Sequence, residues 1–245
     1  MKELGLIGFG SFGQFIAPIL KQYFEVSVCD FHDKSQEAKA LGLDYADLKE
    51  VASKDLVVFC VPVQFLESLL KQVSGFIRPD AICIDVSSVK VKPVSLMKQY
   101  LPTTVDIIGT HPLFGPQSGR DGIEGLNIVI CPVRTTKTRS LECFFKDELK
   151  LNVLMHTPEV HDKQMAYVQA LTHFIGRAMN AMDIPDVEQK TPAYQYLLNI
   201  KRNLGSDSMD LFLTIENENP YASKVRESFI DSLKNIDDLL NDTKL

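Results

Sequence analysis

The sequence is short of several things, and each shortage closes off a class of function. Basic residues are outnumbered, 26 Lys and Arg against 32 Asp and Glu, for a net charge of −6. General nucleic-acid binding needs a basic footprint that is missing here. The same balance gives an anionic small-molecule substrate no long-range pull, so local cations would have to meet it. No apolar run approaches the roughly 18 residues of a membrane span, and no membrane partner is expected. The five cysteines, at 29, 60, 83, 131 and 143, form no C-x-x-C pair. Cys29, Cys60, Cys83 and Cys131 lie inside or at the ends of apolar strand-like runs. That is the setting of buried free thiols in a reducing compartment, and no metal site is expected. Met1 leads almost directly into the first apolar run without a signal-peptide pattern, so a cytoplasmic protein is expected. Internal repeats, low-complexity stretches and flexible linkers are also missing.

At 245 residues, 45% hydrophobic and 24% charged, the chain has material for a sizeable core in one large domain or two modest ones. Its organising stretch is Leu4-Gly5-Leu6-Ile7-Gly8-Phe9-Gly10-Ser11-Phe12-Gly13. An apolar run enters glycines spaced G-x-G-x-x-G, and Phe15, Ile16, Ile19 and Leu20 then recur at helical spacing. Strand, tight turn and helix follow one another. The first glycine permits the turn, the second lets a pyrophosphate approach the backbone, and the third lets helix and strand pack closely. The helix opens with unpaired N–H groups and the positive end of its dipole towards the phosphates. A glycine-rich turn in some other α/β protein is the bland alternative. Against it, a second apolar run, Val26-Ser27-Val28-Cys29, ends in Asp30, about 20 residues beyond the glycines. A carboxylate there accepts from both hydroxyls of an adenosine ribose and repels a 2′-phosphate. The expected cofactor is NAD, bound by Gly8, Phe9, Gly10, Ser11, Phe12, Gly13 and Asp30.

Further along, Lys34 to Leu41 is compatible with helix, and Leu56 to Val61 is a continuous apolar run stopped by Pro62. Phe65, Leu66, Leu69, Leu70 and Val73 keep a helical period. Strands are expected at Ala81–Asp85, from Val105 up to His111, at Asn127–Cys131 and at Asn152–Met155, with a helix around Leu141 to Glu148. Continuous runs separated by helices indicate a parallel sheet covered on both faces. Pro112 to Gly125 holds too many breakers for regular structure. Near Pro158 the character changes to helix alone. Val168, Leu171, Ile175, Met179 and Met182 share one helix face, and a last helix, capped by Asn219 with Pro220 at its first position, carries Val225, Phe229, Leu233, Ile236 and Leu240. Residues 1–157 are thus read as a dinucleotide-binding domain and 158–245 as an all-helical domain. The second is too thin to bury both stripes alone, so a homodimer through it is expected.

In an open parallel sheet, ligands sit outside the carboxyl ends of the strands. Val61-Pro62-Val63, Asp85-Val86-Ser87-Ser88-Val89-Lys90 and Gly109-Thr110-His111-Pro112 all fall there. Val61, Pro62 and Ser87 are assigned to the cofactor, and Ser88, Lys90 and His111 to its reactive end. Histidine is the side chain best placed to take a proton near neutral pH. The bland readings are a loop imidazole bonded to a carbonyl, a serine capping the next helix and a solvated lysine.

The segments Gly8-Phe9-Gly10-Ser11-Phe12-Gly13-Gln14-Phe15, Asp85-Val86-Ser87-Ser88-Val89-Lys90, His111-Pro112-Leu113-Phe114-Gly115-Pro116-Gln117-Ser118-Gly119 and Glu159-Val160-His161-Asp162 stand in an order that resembles the prephenate/arogenate dehydrogenase family. The likeness runs through essentially the whole chain. Thr172-His173-Phe174-Ile175-Gly176-Arg177 and Thr191-Pro192-Ala193-Tyr194 look most like its plant-type branch. What the resemblance implies is a Rossmann-type α/β domain followed by an all-helical dimerisation domain. It also implies NAD-dependent oxidative decarboxylation of prephenate or arogenate in tyrosine biosynthesis. On it, His111 polarises or deprotonates the ring hydroxyl and Ser88 holds hydroxyl and histidine in place. Lys90, Gln117, His161 and His173 join them around the substrate. For His161 two readings stand, a substrate ligand or a satisfied interface histidine; on a helical wheel it lies within about 20° of the apolar stripe, with His173 on the opposite side. Many bacterial members have H-L-P-H and G-F-R where this chain has His173-Phe174-Ile175-Gly176 and Ala193-Tyr194-Gln195. The substrate carboxylate is therefore left to Arg177, Lys201 or Arg202, each of which otherwise reads as a helix-surface charge.

Two other classes compete. A β-hydroxyacid or imine reductase would share the domain order but place a catalytic lysine on a long helix of the second domain. A non-catalytic NAD-responsive sensor would lack His111 or Ser88. Both residues are present, at strand ends, and the site is weighed above the fold.

Overall fold

The computed structural model describes residues 2–204 and 208–243, in two compact units, Met1–His161 and Asp162–Leu245. The division falls inside a helix that begins at Pro158.

The first unit is an eight-stranded sheet in the order β3-β2-β1-β4-β5-β6-β7-β8. Its strands are β1 (Glu3–Ile7), β2 (Glu25–Cys29), β3 (Asp44–Tyr45), β4 (Leu56–Phe59), β5 (Ile82–Asp85), β6 (Asp106–Pro112), β7 (Asn127–Arg134) and β8 (Asn152–Met155). Helices α1 (Ser11–Leu20), α2 (Ser35–Ala40), α3 (Leu48–Ala52), α4 (Val63–Val73), α5 (Val91–Tyr100) and α6 (Thr138–Cys143) connect them. The continuous apolar runs are buried on both sides. Leu4, Leu6, Val58, Ile84 and Ile108 pack into a core on one face, while Ile7, Val57, Phe59, Cys83 and Ile107 pack into a second core on the other. Alternation along each strand sends neighbouring residues to opposite faces, so each run feeds both cores.

One strand departs from the all-parallel expectation. β7 runs antiparallel to β6, and every other neighbouring pair is parallel. A parallel neighbour needs a crossover, usually a helix. The segment between β6 and β7 is the breaker-rich stretch, which carries no helix and turns the chain back instead. α3, β3 and α5 are additions to the expected elements. α3 packs its backbone directly on β1, where a Cβ on Gly5 would stand 1.9 Å from the Val51 carbonyl oxygen.

In the second unit the described residues form helices and no strand: the end of α7 (Pro158–Met165), then α8 (Thr172–Ala181), α9 (Pro192–Leu204), α10 (Met209–Glu218) and α11 (Ala222–Asp242). A π-helical turn, Ala166–Leu171, joins α7 to α8. Its extra residue shifts the helix face, and the expected stripe is corrected accordingly. Val168 and Met182 are exposed, whereas Ala166, Ala170, His173, Gly176 and Met179 are buried. His173 therefore lies on the packed side, not opposite it. The expected cap of the last helix is also displaced. Asn219 Oδ1 accepts from the Tyr221 N–H at 2.9 Å, which closes a turn, and the helix starts only at Ala222. The buried apolar cluster of this unit is small, Ala170, Ile215 and Ala222 with Leu211 against them. No described helix is long and apolar enough to cross a membrane.

Candidate active site

The sheet register builds one row of residues. Cys29 pairs with Ile7, Ile7 with Phe59, Phe59 with Asp85, and Asp85 with Gly109. The next residue on each strand opens the carboxyl edge: Asp30, Gly8, Cys60, Val86 and Thr110, with His111 one further. The strand order reverses between β1 and β4, the switch point at which such sheets bind ligands.

The glycine turn behaves as its spacing requires. Gly8 has φ +104°, and a Cβ there would lie 2.3 Å from the Cys60 carbonyl oxygen. A Cβ on Gly13 would lie 2.4 Å from the Gly8 oxygen, so the helix can approach the strand only without a side chain. Gly10 is different, since nothing lies within 4 Å of a Cβ built on it. It caps α1, whose first turn holds no acidic residue, so Ser11, Phe12 and Gly13 offer their N–H groups to an anion in open space. Phe9 buries its side chain in the core, and its N–H donates to Asp30 Oδ2 at 2.6 Å. Asp30 Oδ1 accepts from the His32 N–H at 3.0 Å. The carboxylate is thereby fixed beside the turn. The residues fit a dinucleotide: an open cradle, a helix N-terminus and an anchored carboxylate.

The two strand ends beyond the switch point are stitched together. Lys90 is fully buried, and its ammonium is bonded to Asp85 Oδ2 and to the Thr110 carbonyl oxygen at 2.5 Å. Thr110 Oγ1 donates to the Asp85 carbonyl at 2.8 Å. Gly109 makes room for the lysine stem, because a Cβ there would stand 3.2 Å from Lys90 Cδ. Lys90 is thus neither a solvated charge nor open to a ligand, and it precedes α5 as its cap residue. Ser87 Oγ donates to Asp85 Oδ1 at 2.5 Å. Ser88 caps nothing; half-buried, it makes no hydrogen bond among the described residues. Val61 is half-buried and Pro62 exposed at the end of β4. Gln117 is exposed in the segment after β6.

His111 is 4% exposed. Its Nδ1 lies 2.9 Å from Nε2 of His161, which is also buried, and the rings meet edge to face. Burial first, then the neighbouring His161 and the Lys90 charge, hold the His111 pKa well below its usual value. It is a neutral base at physiological pH. The Thr157-Pro158-Glu159-Val160-His161 sequence sets its partner. Thr157 Oγ1 accepts from the Val160 N–H at 3.3 Å and the Thr157 carbonyl from the His161 N–H at 2.9 Å, which places His161 in the first turn of α7. Nothing in the apolar periodicity pairs His161 with His111; the pairing depends on where the chain turns after β8.

His173 lies in the second unit, buried on α8. Arg177 donates to the Ser208 carbonyl at 3.3 Å and lies over Phe212, and Lys201 pairs with Asp183 at 3.1 Å. Burial pushes the Cys29, Cys60 and Cys83 thiols up to about 12, so they are not nucleophiles. Among the described residues no group of three His, Cys, Asp or Glu could hold a metal ion.

Fold and edge define a nucleotide-binding α/β protein with a histidine-centred site beyond its switch point. The family described as prephenate dehydrogenase, nucleotide-binding domain, matches residues 16–152, and the TYRAAT1-like C-terminal domain matches residues 178–244. The chain belongs to the prephenate dehydrogenase family. It is 32% identical to the chloroplastic arogenate dehydrogenase 1 of Arabidopsis thaliana over 95% of its own length and 38% of that protein's. To arogenate dehydrogenase 2 of the same plant it is 32% identical over 90% and 64%. The chain thus spans less than two thirds of either relative. A prephenate dehydrogenase from A. aeolicus, crystallised with hydroxyphenyl propionate and NAD+, shares the fold with a TM-score of 0.77 at 23% identity, over 98% of this chain and 91% of that one.

Proposed function

We propose that the chain is an NAD-dependent dehydrogenase that oxidatively decarboxylates prephenate or arogenate, a step of tyrosine biosynthesis. The observation that carries the reading is a buried, neutral His111 at the end of β6, on the same sheet edge as the glycine turn and Asp30. The names of the plant relatives and the family of the first unit support it.

The glycine turn, Val61, Pro62 and Ser87 bind the dinucleotide, and Asp30 accepts from the adenosine ribose. When bound there, NAD+ would supply the hydride acceptor for the ring carbon that bears the hydroxyl. His111 removes the hydroxyl proton as the hydride leaves, and loss of the ring carboxyl as carbon dioxide makes the ring aromatic. The Ser88 hydroxyl holds the substrate hydroxyl against His111. Lys90, bonded to Asp85 and Thr110, fixes the backbone that presents both groups. Gln117 and His161 complete the substrate site in this reading, with His161 acting through His111.

The second unit also carries the dimer contact, supported by the exposed Leu233, Ile236, Leu239 and Leu240 on α11. A cytoplasmic setting fits the five free thiols.

The test is NADH formation with prephenate and arogenate side by side, with carbon dioxide measured in parallel. One of the two substrates gives equimolar NADH and carbon dioxide. Turnover of neither, by a folded protein that binds NAD+, contradicts the proposal.

A further inference from the structure

His161 lies 2.9 Å, nitrogen to nitrogen, from His111, and both rings are buried. A contact of that length between two imidazoles holds one hydrogen, carried by one ring and accepted by the other. Either His111 donates from Nδ1, or it accepts there and carries its proton on Nε2. The second arrangement would put a hydrogen on Nε2, where the proposed reaction needs a lone pair to take the hydroxyl proton.

We infer that His161 is a positioning residue, which accepts from Nδ1–H of His111 and so leaves the lone pair of His111 on Nε2. This rests on the reading of His111 as the base. The proton of the substrate hydroxyl passes to His111 Nε2, and the bond from Nδ1 to His161 stays intact while its polarity increases. No electron or further proton is required. The arrangement parallels a triad in which the third member orients the imidazole, with one difference. The third member here is an imidazole, which supports the imidazolium as a hydrogen-bond acceptor in place of a carboxylate. Lys90 from the β5–α5 turn opposes protonation, and its charge is balanced by Asp85.

His161 is thus distinct from a substrate ligand in what its removal does. Substitution of a residue that orients a ligating or catalytic histidine costs about 10–100-fold in activity, and here the loss falls on kcat rather than on KM. In His161→Gln the amide oxygen accepts in place of the imidazole nitrogen and restores part of the rate.

The experiment is nitrogen NMR of histidine-labelled protein, with the His111 signals assigned by loss in His111→Gln. The unaltered chain is expected to show His111 protonated at Nδ1, and His161→Ala to shift it towards the Nε2-protonated form. The same variants are then assayed across pH, where His161→Ala is expected to move the acid limb as well as lower kcat. An Nε2-protonated His111 in the unaltered chain, or a tautomer and acid limb unmoved in His161→Ala, overturns the inference. Should His161→Ala fail to fold, the tautomer of the unaltered chain decides by itself. The spectrum needs no turnover, so a chain that shows the expected tautomer but converts neither substrate contradicts the proposed reaction and leaves the orientation standing.

Discussion

The Lys90 ammonium is bonded to the Asp85 carboxylate with neither side chain open to solvent. This pair, five residues apart in sequence, closes the turn that follows β5 and reaches across to the backbone of β6 through the Thr110 carbonyl. His111 is the next residue. The placement of His111 therefore depends on an ion pair that does not touch it.

Breaking one half of a buried pair leaves an uncompensated charge, at a cost of about 3–5 kcal/mol. Lys90→Met is expected to lose stability on that scale in urea unfolding, and Lys90→Met with Asp85→Asn to lose less. A single variant as stable as the unaltered chain would show that the pair does not hold the turn.

The glycines separate structural from ligand roles. Gly13→Ala puts a Cβ against the Gly8 carbonyl and is expected to cost about 1–3 kcal/mol of stability. In Gly10→Ala the added Cβ meets only open space, and the variant is expected to change stability by less than about 1 kcal/mol while weakening NAD+ binding on the order of tenfold. Unchanged NAD+ affinity in Gly10→Ala would move the pyrophosphate away from this turn.

Asp30→Ser removes the carboxylate proposed to accept from the ribose hydroxyls. Bonds to a charged group contribute about 1.5–3 kcal/mol each, so NAD+ binding by fluorescence titration is expected to weaken at least tenfold and the advantage over NADP+ to narrow. An unaltered protein that uses NADP+ as efficiently contradicts this role.

A dimer through the second unit is expected to fall apart in Leu233→Glu/Ile236→Glu, two exposed positions of α11. Sedimentation at micromolar concentration reads the change. An unaltered chain that sediments as a stable, active monomer removes the argument.

What was legible in the sequence follows from how local its cause is. The glycine turn, Asp30 and the run Leu56–Phe59 are dictated by backbone geometry and two-sided burial within a few residues. Elements of two and five residues, β3 and α3, carry too little periodicity to announce themselves. The direction of β7 depends on a segment without a helix, and nothing in Asn127–Cys131 itself encodes it. The stripe through Val168 and Met182 failed because a π-helical turn breaks the constant angle on which such a stripe is drawn. His111 was legible from its place at a strand end; its bond to His161 was not, because it joins residues fifty apart. Lys90 reads as a surface charge until Gly109 and Asp85 are seen to make a buried berth for it.

The central claim is that His111 takes the hydroxyl proton, and the most direct measurement is the pH dependence of kcat/KM for the unaltered protein and His111→Ala. Desolvation disfavours the charged ring, so the imidazole stays neutral and competent below the ordinary histidine value of about 6.5. The acid limb is expected well below that value. The same depression makes the fold less stable on acidification, because the unfolded chain takes up below about 6.5 a proton that the folded chain refuses until its lower pKa. His111→Ala is expected to lose on the order of 10²–10⁴ in kcat at saturating substrate, keep its NAD+ affinity and lose the limb. A near-normal kcat with the acid limb in place would contradict the assignment.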